Sequence, residues 1–168
     1  MMEPKSRSLR VVRGYQTTIE SYPYMVSLKK DNNEHICGDT IIDEYTILTS
    51  ILTAAHCLDT GEVKIVRVGC TYVDSKDGVL HKILDHALHE NYESEDYPIN
   101  DISFIRFESP IVVNNITSRI VKSANRNTMC PDSSFAIVVG WGFVTDKTNA
   151  EPSEIVLIED EKGGRISY

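Results

Sequence analysis

No apolar run in this 168-residue chain approaches the roughly 18 residues that a membrane-spanning helix needs. The reading is therefore of a chain without a membrane partner. Basic residues are in deficit: 17 Lys and Arg stand against 25 Asp and Glu, a net charge of -8. That balance argues against a nucleic-acid partner, because such binding is driven largely by Lys and Arg meeting phosphates. None of the four cysteines, Cys37, Cys57, Cys70 and Cys130, has the short C-x-x-C spacing of a zinc or redox site. The first ten residues carry Lys5, Arg7 and Arg10 but no apolar core, so they do not form a secretory signal. Either a leader is missing from this sequence or the protein is cytosolic. Low-complexity tracts and long repeats are absent, and helical periodicity is scarce.

What remains is enough for one domain with a real core. Composition is ordinary for a globular protein, 41% hydrophobic and 25% charged. Short runs rich in Val and Ile recur at Tyr24 to Leu28, Thr40 to Ile42, Val63 to Val68 and Ile102 to Phe107. Further runs follow at Ile111 to Val113, Ala136 to Val139 and Ile155 to Ile158. Turn-forming clusters such as Lys30-Asp31-Asn32-Asn33 and Asp74-Ser75-Lys76-Asp77-Gly78 separate them. Many short strands with turns between them predict an all-β barrel or sandwich. A more polar stretch from Pro110 to Arg126 reads as a linker between two subdomains. One local duplication interrupts the pattern: Ile47-Leu48-Thr49-Ser50 is followed at once by Ile51-Leu52-Thr53-Ala54. Four extra residues keep strand parity, because the side-chain period is two. They must loop out if the neighbouring strand has no matching insert, as a surface bulge or an artefact of splicing.

Chemistry concentrates in two places. Thr53-Ala54-Ala55-His56-Cys57 sets a histidine beside a cysteine just after an apolar strand, and Cys37-Gly38-Asp39 follows another. A disulfide between Cys37 and Cys57 would staple the two strands and fix the turn that carries His56. Downstream, Asn100-Asp101-Ile102-Ser103-Phe104-Ile105 puts a lone carboxylate at the head of a strongly apolar strand. Such a carboxylate must be paired, be hydrogen-bonded or shift its pKa. A histidine held by an aspartate in one tautomer is the general-base half of nucleophilic catalysis. On the residues alone, a core histidine and a strand cap stand as the alternative reading.

With these motifs in view, the sequence resembles the chymotrypsin/trypsin-like serine proteases. Thr53 to Cys57 looks like the family's histidine signature, and Asn100 to Phe104 like its aspartate segment. Arg10-Val11-Val12-Arg13-Gly14 resembles the activation cleavage site, Tyr22 to Leu28 the first barrel strand, and Gly140-Trp141-Gly142 the start of the second barrel. The ordered matches cover about residues 10 to 158. The resemblance implies a chymotrypsin-like double β-barrel, the first barrel complete and the second partial. Its parts would be an activation segment (1–10), a first barrel (11–108), a linker (109–125), the start of a second barrel (126–158) and a divergent tail (159–168). It implies His56 as general base and acid, Asp101 as its orienting partner, and cleavage between Arg10 and Val11. It implies protein or peptide substrates or protease inhibitors as partners, a secreted monomer, and neither cofactor nor metal.

The family pattern also breaks. Arg13 stands where the activation motif normally has glycine. The family's Gly-Asp-Ser-Gly-Gly motif does not occur in these 168 residues, and Ser133, Ser134, Ser153 and Ser167 lack that context. The expectation is a chain without catalysis of its own, or alternatively a protease homologue acting as a binding or decoy module. Cys70 and Cys130 have no family partner here and are expected to be free or bonded outside the family pattern. Asn115-Ile116-Thr117 matches the N-glycosylation pattern, which has meaning only in a secreted chain. His81, His86 and His89 lie in a strand-like segment that puts His86 and His89 on opposite faces, so no zinc site is expected there. Asp74 to Gly78, and Glu93, Glu95 and Asp96, read as solvated acidic turns.

Overall fold

The computed structural model describes residues 15–42, 50–95, 97–121, 136–141 and 156–160. The strands are β1 (Tyr15–Gln16), β2 (Met25–Lys29), β3 (His35–Ile42), β4 (Ser50–Thr53), β5 (Ile65–Val68), β6 (Val79–Leu88), β7 (Ser103–Phe107), β8 (Ala136–Gly140) and β9 (Val156–Asp160). Six of them close into an antiparallel barrel in the order β2-β3-β4-β7-β6-β5. A separate three-stranded sheet has the order β1-β9-β8.

Alternation explains the barrel's inside. Along β7, Ser103, Ile105 and Phe107 are buried while Phe104 and Arg106 face out. Val26, Leu28, Ile41, Ile51, Val66 and Ile105 have no exposed surface and meet in one cluster. Closure leaves no hydrogen-bonding edge on these six strands, which removes the commonest route to unwanted strand addition.

Strand β2 departs from alternation, because all five of its residues are buried. Its outer face is covered by the loop 70–78, which is held by two cations. Lys29 Nζ donates to the carbonyls of Asn33 at 2.8 Å and Val73 at 2.7 Å. Arg67 on β5 donates through Nη1 to the carbonyls of Ser75 and Asp77, and through Nη2 to Asn33 Oδ1 at 2.9 Å. Burial, with Arg67 nearby, holds the Lys29 ammonium below its ordinary pKa. The Asp74–Gly78 turn is thus more than a solvated acidic loop: its main chain solvates buried charge, as a buried cation requires. Gly78 turns the chain back with φ +79°, and a Cβ there would lie 2.3 Å from the Val68 carbonyl oxygen.

Trp141, just after β8, docks on the same flank. Its Nε1 donates to the Thr71 carbonyl at 2.8 Å, and its ring meets His35 edge-on at 5.6 Å. Ile111 to Val113, expected as a strand, is not one of the described strands. Ile111 packs into the barrel core while Val112 is 84% exposed. The segment beyond it runs back over the barrel, Arg119 N–H donating to the Pro23 carbonyl and Val121 N–H to Ile41. Strand β6 lies in a segment that shows no apolar run, since Val79, Leu80 and Leu84 alternate poorly with His, Lys and Asp. Of the duplicated tetrapeptide, Ser50 and the second copy's Ile51-Leu52-Thr53 form β4, and Ile47 to Thr49 lie outside the described residues.

Two groups on β3 make stability depend on pH. Asp39 is buried, its Oδ2 has no hydrogen-bond partner among the described residues, and burial pushes its carboxyl up from 3.8 to about 8 against the Thr53 hydrogen bond. His35, bonded to Ser27 Oγ at 2.8 Å, is pushed down from 6.5 to about 4 by burial and by Lys29. Asp39 therefore contributes stability below 3.8 that is lost as pH rises through 8. His35 contributes stability above 6.5 that is lost as pH falls through 4. The two slopes oppose each other between 4 and 6.5, and only the Asp39 slope remains between 6.5 and 8. Urea unfolding across that upper window is expected to show stability falling by up to about 1.4 kcal/mol per pH unit. Asp39→Asn is expected to flatten it.

Candidate active site

Strand β4 ends at Thr53, Ala54 stays extended, and Ala55–Cys57 form a single 3-10 turn. Ala55, Cys57 and Leu58 are buried, anchoring the turn in the core on both sides of His56. Two small residues before the histidine let the chain dive inward, and the histidine side chain is left 46% exposed at the barrel rim. Asp101 sits two residues before β7, after Asn100 in the left-handed region at φ 54°. Asn100 Nδ2 donates to the Asn91 carbonyl at 2.8 Å, which ties down the loop leading to Asp101.

Register brings the two together. In the β4–β7 ladder, Thr53 pairs with Ser103. The antiparallel sense places the residues just after Thr53 beside those just before Ser103, so a separation of 45 residues closes to contact. His56 N–H donates to Asp101 Oδ1 at 2.8 Å, and His56 Nδ1 lies 2.6 Å from Asp101 Oδ2. Ser103 Oγ reinforces the corner by donating to the Ala54 carbonyl at 3.3 Å. Cys37 on β3 is disulfide-bonded to Cys57, which pins the turn to a second strand. Tyr92 Oη donates to Asp59 Oδ2 at 3.0 Å, joining the loop before Asp101 to the residues after His56.

Partial burial pushes the Asp101 carboxyl up, but hydrogen bonds from His56 and from Ala55, with the His56 charge, outweigh it and hold the group below 3.8. At neutral pH Asp101 is a carboxylate and can only accept. The His56 Nδ1 that faces it is therefore the donor of that hydrogen bond, and Nε2, the other ring nitrogen, lies 3.5 Å from Cys57 Sγ. A hydroxyl brought to that nitrogen could give it a proton, and Asp101 would stabilise the imidazolium that forms.

The other singled-out residues are dispersed. Arg10, Val11, Arg13, Cys130, Asp96 and the late serines lie outside the described residues. Asn115 is exposed at a loop tip with φ 63°, where Asn114 Oδ1 accepts the N–H groups of Ile116, Thr117 and Ser118. Cys70 is a buried free thiol, its pKa raised by burial. His81 points into the barrel against Phe107, while His86 and His89 are exposed, and among the described residues these three do not gather as a metal cluster. Glu93 pairs with Ile99 across the loop before Asp101. Sequence reasoning placed Asn100 and Ser103 in the aspartate segment without a role of their own and overlooked Tyr92 and Asp59. Only Asn100, a residue type tolerant of positive φ, carried a local signal.

Replacing Asp101 by Asn puts an amide against Nδ1 and is expected to move the ring proton to Nε2. Imidazole nitrogen chemical shifts of His56 report this directly. An unchanged Nδ1–H tautomer would show that Asp101 does not orient the ring.

Comparison with known proteins places the sequence and the fold in one family. The family model described as Trypsin matches residues 11–165. Trypsin epsilon of Drosophila erecta is 32% identical over 154 residues, covering 90% of this chain and 56% of the relative. Trypsin alpha of Drosophila melanogaster is 34% identical over 152 residues, covering 89% of this chain and 55% of the relative. The chain thus spans little more than half the length of these curated relatives. Among solved structures, neuropsin, a serine protease expressed in the limbic system of mouse brain, superposes with a TM-score of 0.73. That match has 24% identity and covers 89% of this chain and 63% of neuropsin, which shows a shared fold. The closed barrel followed by part of a second sheet is the chymotrypsin-like arrangement, and the chain belongs to the trypsin family of serine proteases.

Proposed function

We propose that these 168 residues carry the general-base half of a serine-type endopeptidase site and do not hydrolyse peptides by themselves. The observation that carries this reading is the two-point grip of Asp101 on His56, through its backbone N–H and its Nδ1, at an exposed rim. A base so held has one ordinary use, to take a proton from a nucleophile. The nucleophile's usual setting, Gly-Asp-Ser-Gly-Gly, is not among these residues. A base without nucleophile and oxyanion donors leaves water as the attacking group, and losing even one such donor costs on the order of a hundredfold or more.

Within this reading the substrates are proteins or peptides and the competing ligands are protease inhibitors, acting on a secreted monomer. Activation is cleavage between Arg10 and Val11, and Asn115 is an acceptor for a glycan. The first barrel is assigned to 11–108, the linker to 109–125 and the opening of the second barrel to 126–158. The exposed setting of Asn115 and the disulfide of Cys37 with Cys57 support a secreted chain.

Two measurements test the proposal. Peptide-amide hydrolysis by the 168-residue chain is expected to match buffer. Turnover that His56→Ala abolishes would overturn the claim of inactivity. Sequencing the message through its 3′ end is the second. If a Gly-Asp-Ser-Gly-Gly run follows in frame, the longer product is expected to lose on the order of 10^4-fold or more in kcat with His56→Ala. A much smaller loss would show that His56 is not the base.

A further inference from the structure

A row of three buried polar side chains leads to the turn that carries His56. On β3, alternation puts Asp39 on the same face as Ile41, inside the barrel, while Gly38 faces Trp141 on the outside. The β2–β3 ladder sets Asp39 opposite Val26, a core residue. The β3–β4 ladder pairs Thr40 with Leu52, so its next step brings Asp39 beside Thr53, and the two are hydrogen-bonded. Thr53 in turn pairs with Ser103 across β4 and β7. All three side chains are buried, and Asp39 Oδ2 has no hydrogen-bond partner among the described residues. Their bonds converge on one atom. The Ala54 carbonyl accepts from Thr53 Oγ1 at 3.4 Å, from Cys57 N–H at 3.3 Å and from Ser103 Oγ at 3.3 Å. Ala54 is the residue from which the 3-10 turn Ala55–Cys57 springs. Three donors thus share two lone pairs, and all three bonds are long. Thr53 has one hydroxyl hydrogen, which it gives either to Ala54 or to Asp39.

We propose that Asp39 is a positioning residue for His56: its proton, relayed through the Thr53 hydroxyl, sets how the Ala54 carbonyl holds the turn that carries the imidazole. With Asp39 a neutral acid, its O–H donates to Thr53 Oγ1 and the Thr53 hydrogen goes to Ala54. When Asp39 releases its proton to solvent, the Thr53 hydrogen turns to the carboxylate, and Ala54 is left to Ser103 and Cys57. One proton leaves, one hydrogen bond replaces another, and no bond between heavy atoms changes. Burial pushes the Asp39 carboxyl up to about 8, so the exchange falls in the mildly alkaline range. That Asp39 thereby tunes a catalytic base rests on the reading of His56 given above. The coupling between the two residues does not.

The elements around Asp39 bring no titration of their own into that range. Strand β2 sets Val26 beside it, and β5 sets Val68 beyond Val26. Strand β4 gives Thr53, β7 gives Ser103, and the turn gives Cys57, which is tied in the disulfide. Strand β6 gives Leu88 opposite Ser103, and His81, which lies against Phe107 and is held below 6.5 by burial. On its own strand, His35 is bonded to Ser27 and is pushed down to about 4. Both histidines are therefore neutral where Asp39 titrates. Asp101, held below 3.8, is charged throughout. Lys29, Arg67 and Cys70 belong to the outer flank with the loop 70–78.

The test is NMR of the whole chain, titrated from neutral into alkaline pH. The Asp39 carboxyl carbon, the Cys57 amide proton and the His56 ring Cε1–H are expected to move together, with one midpoint near 8. The Cys57 amide proton is expected to go downfield, because Ala54 becomes a freer acceptor. Asp39→Asn is expected to erase the step at Cys57 and at His56. Thr53→Val cuts the relay and keeps the acid. There Asp39 is expected to titrate at higher pH, having lost the bond that favours its charged form, while the Cys57 step vanishes. Asp39 titrating while Cys57 and His56 stay still overturns the proposal. So does a step that survives Asp39→Asn, or one unchanged in Thr53→Val. If Asp39→Asn fails to fold, the wild-type midpoints and Thr53→Val decide, and unequal midpoints count against the relay. No readout involves hydrolysis, so a failed relay leaves the reading of His56 as a base standing, and an inactive longer product leaves the relay intact.

Discussion

The pairing of Thr53 with Ser103 in the β4–β7 ladder is the constraint on which the site depends. Everything distinctive here follows from two strand ends meeting at one rim of a closed barrel. A slip of one residue in that ladder would turn Ile51 and Ile105 out of the core. The same slip would carry Asp101 away from His56. Core burial and site geometry are therefore enforced by the same register, and the hydrophobic cost of losing one protects the other. The disulfide to Cys37 and the Ser103 hydrogen bond to Ala54 brace a geometry that the ladder has already chosen.

Charge is managed differently on the two sides of the barrel. At the rim, Asp101 and His56 remain partly exposed, so their pairing is responsive and available to chemistry. On the flank, Lys29 and Arg67 are buried and spend their donors on main-chain carbonyls. Those bonds order the loop 70–78 and give Trp141 a platform at Thr71. Inside, Asp39 is a carboxyl in an apolar setting, kept neutral at mildly acidic pH by the cost of burying its charge. Three solutions to the placement of ionised groups thus coexist within one small barrel.

Much of this was legible before any coordinates. The turn residues between Val- and Ile-rich runs announced an all-β chain, and Thr53-Ala54-Ala55-His56-Cys57 announced its histidine, because these are local patterns of residue type and order. Ile111 to Val113 misled because an apolar triplet says nothing about whether a neighbour is available to pair. Strand β6 was obscured because its exposed side carries Leu80 and Leu84 as well as charge. The sequence by itself determined which side chains could act as base, orienting carboxylate and staple. Only the tertiary structure decided that residues 45 positions apart would touch, that Lys29 would be buried, and that the Cys37–Cys57 disulfide would sit beside the His56 ring. Those outcomes depend on strand register and barrel closure, which sum many weak contacts between distant segments and leave no mark in any one of them.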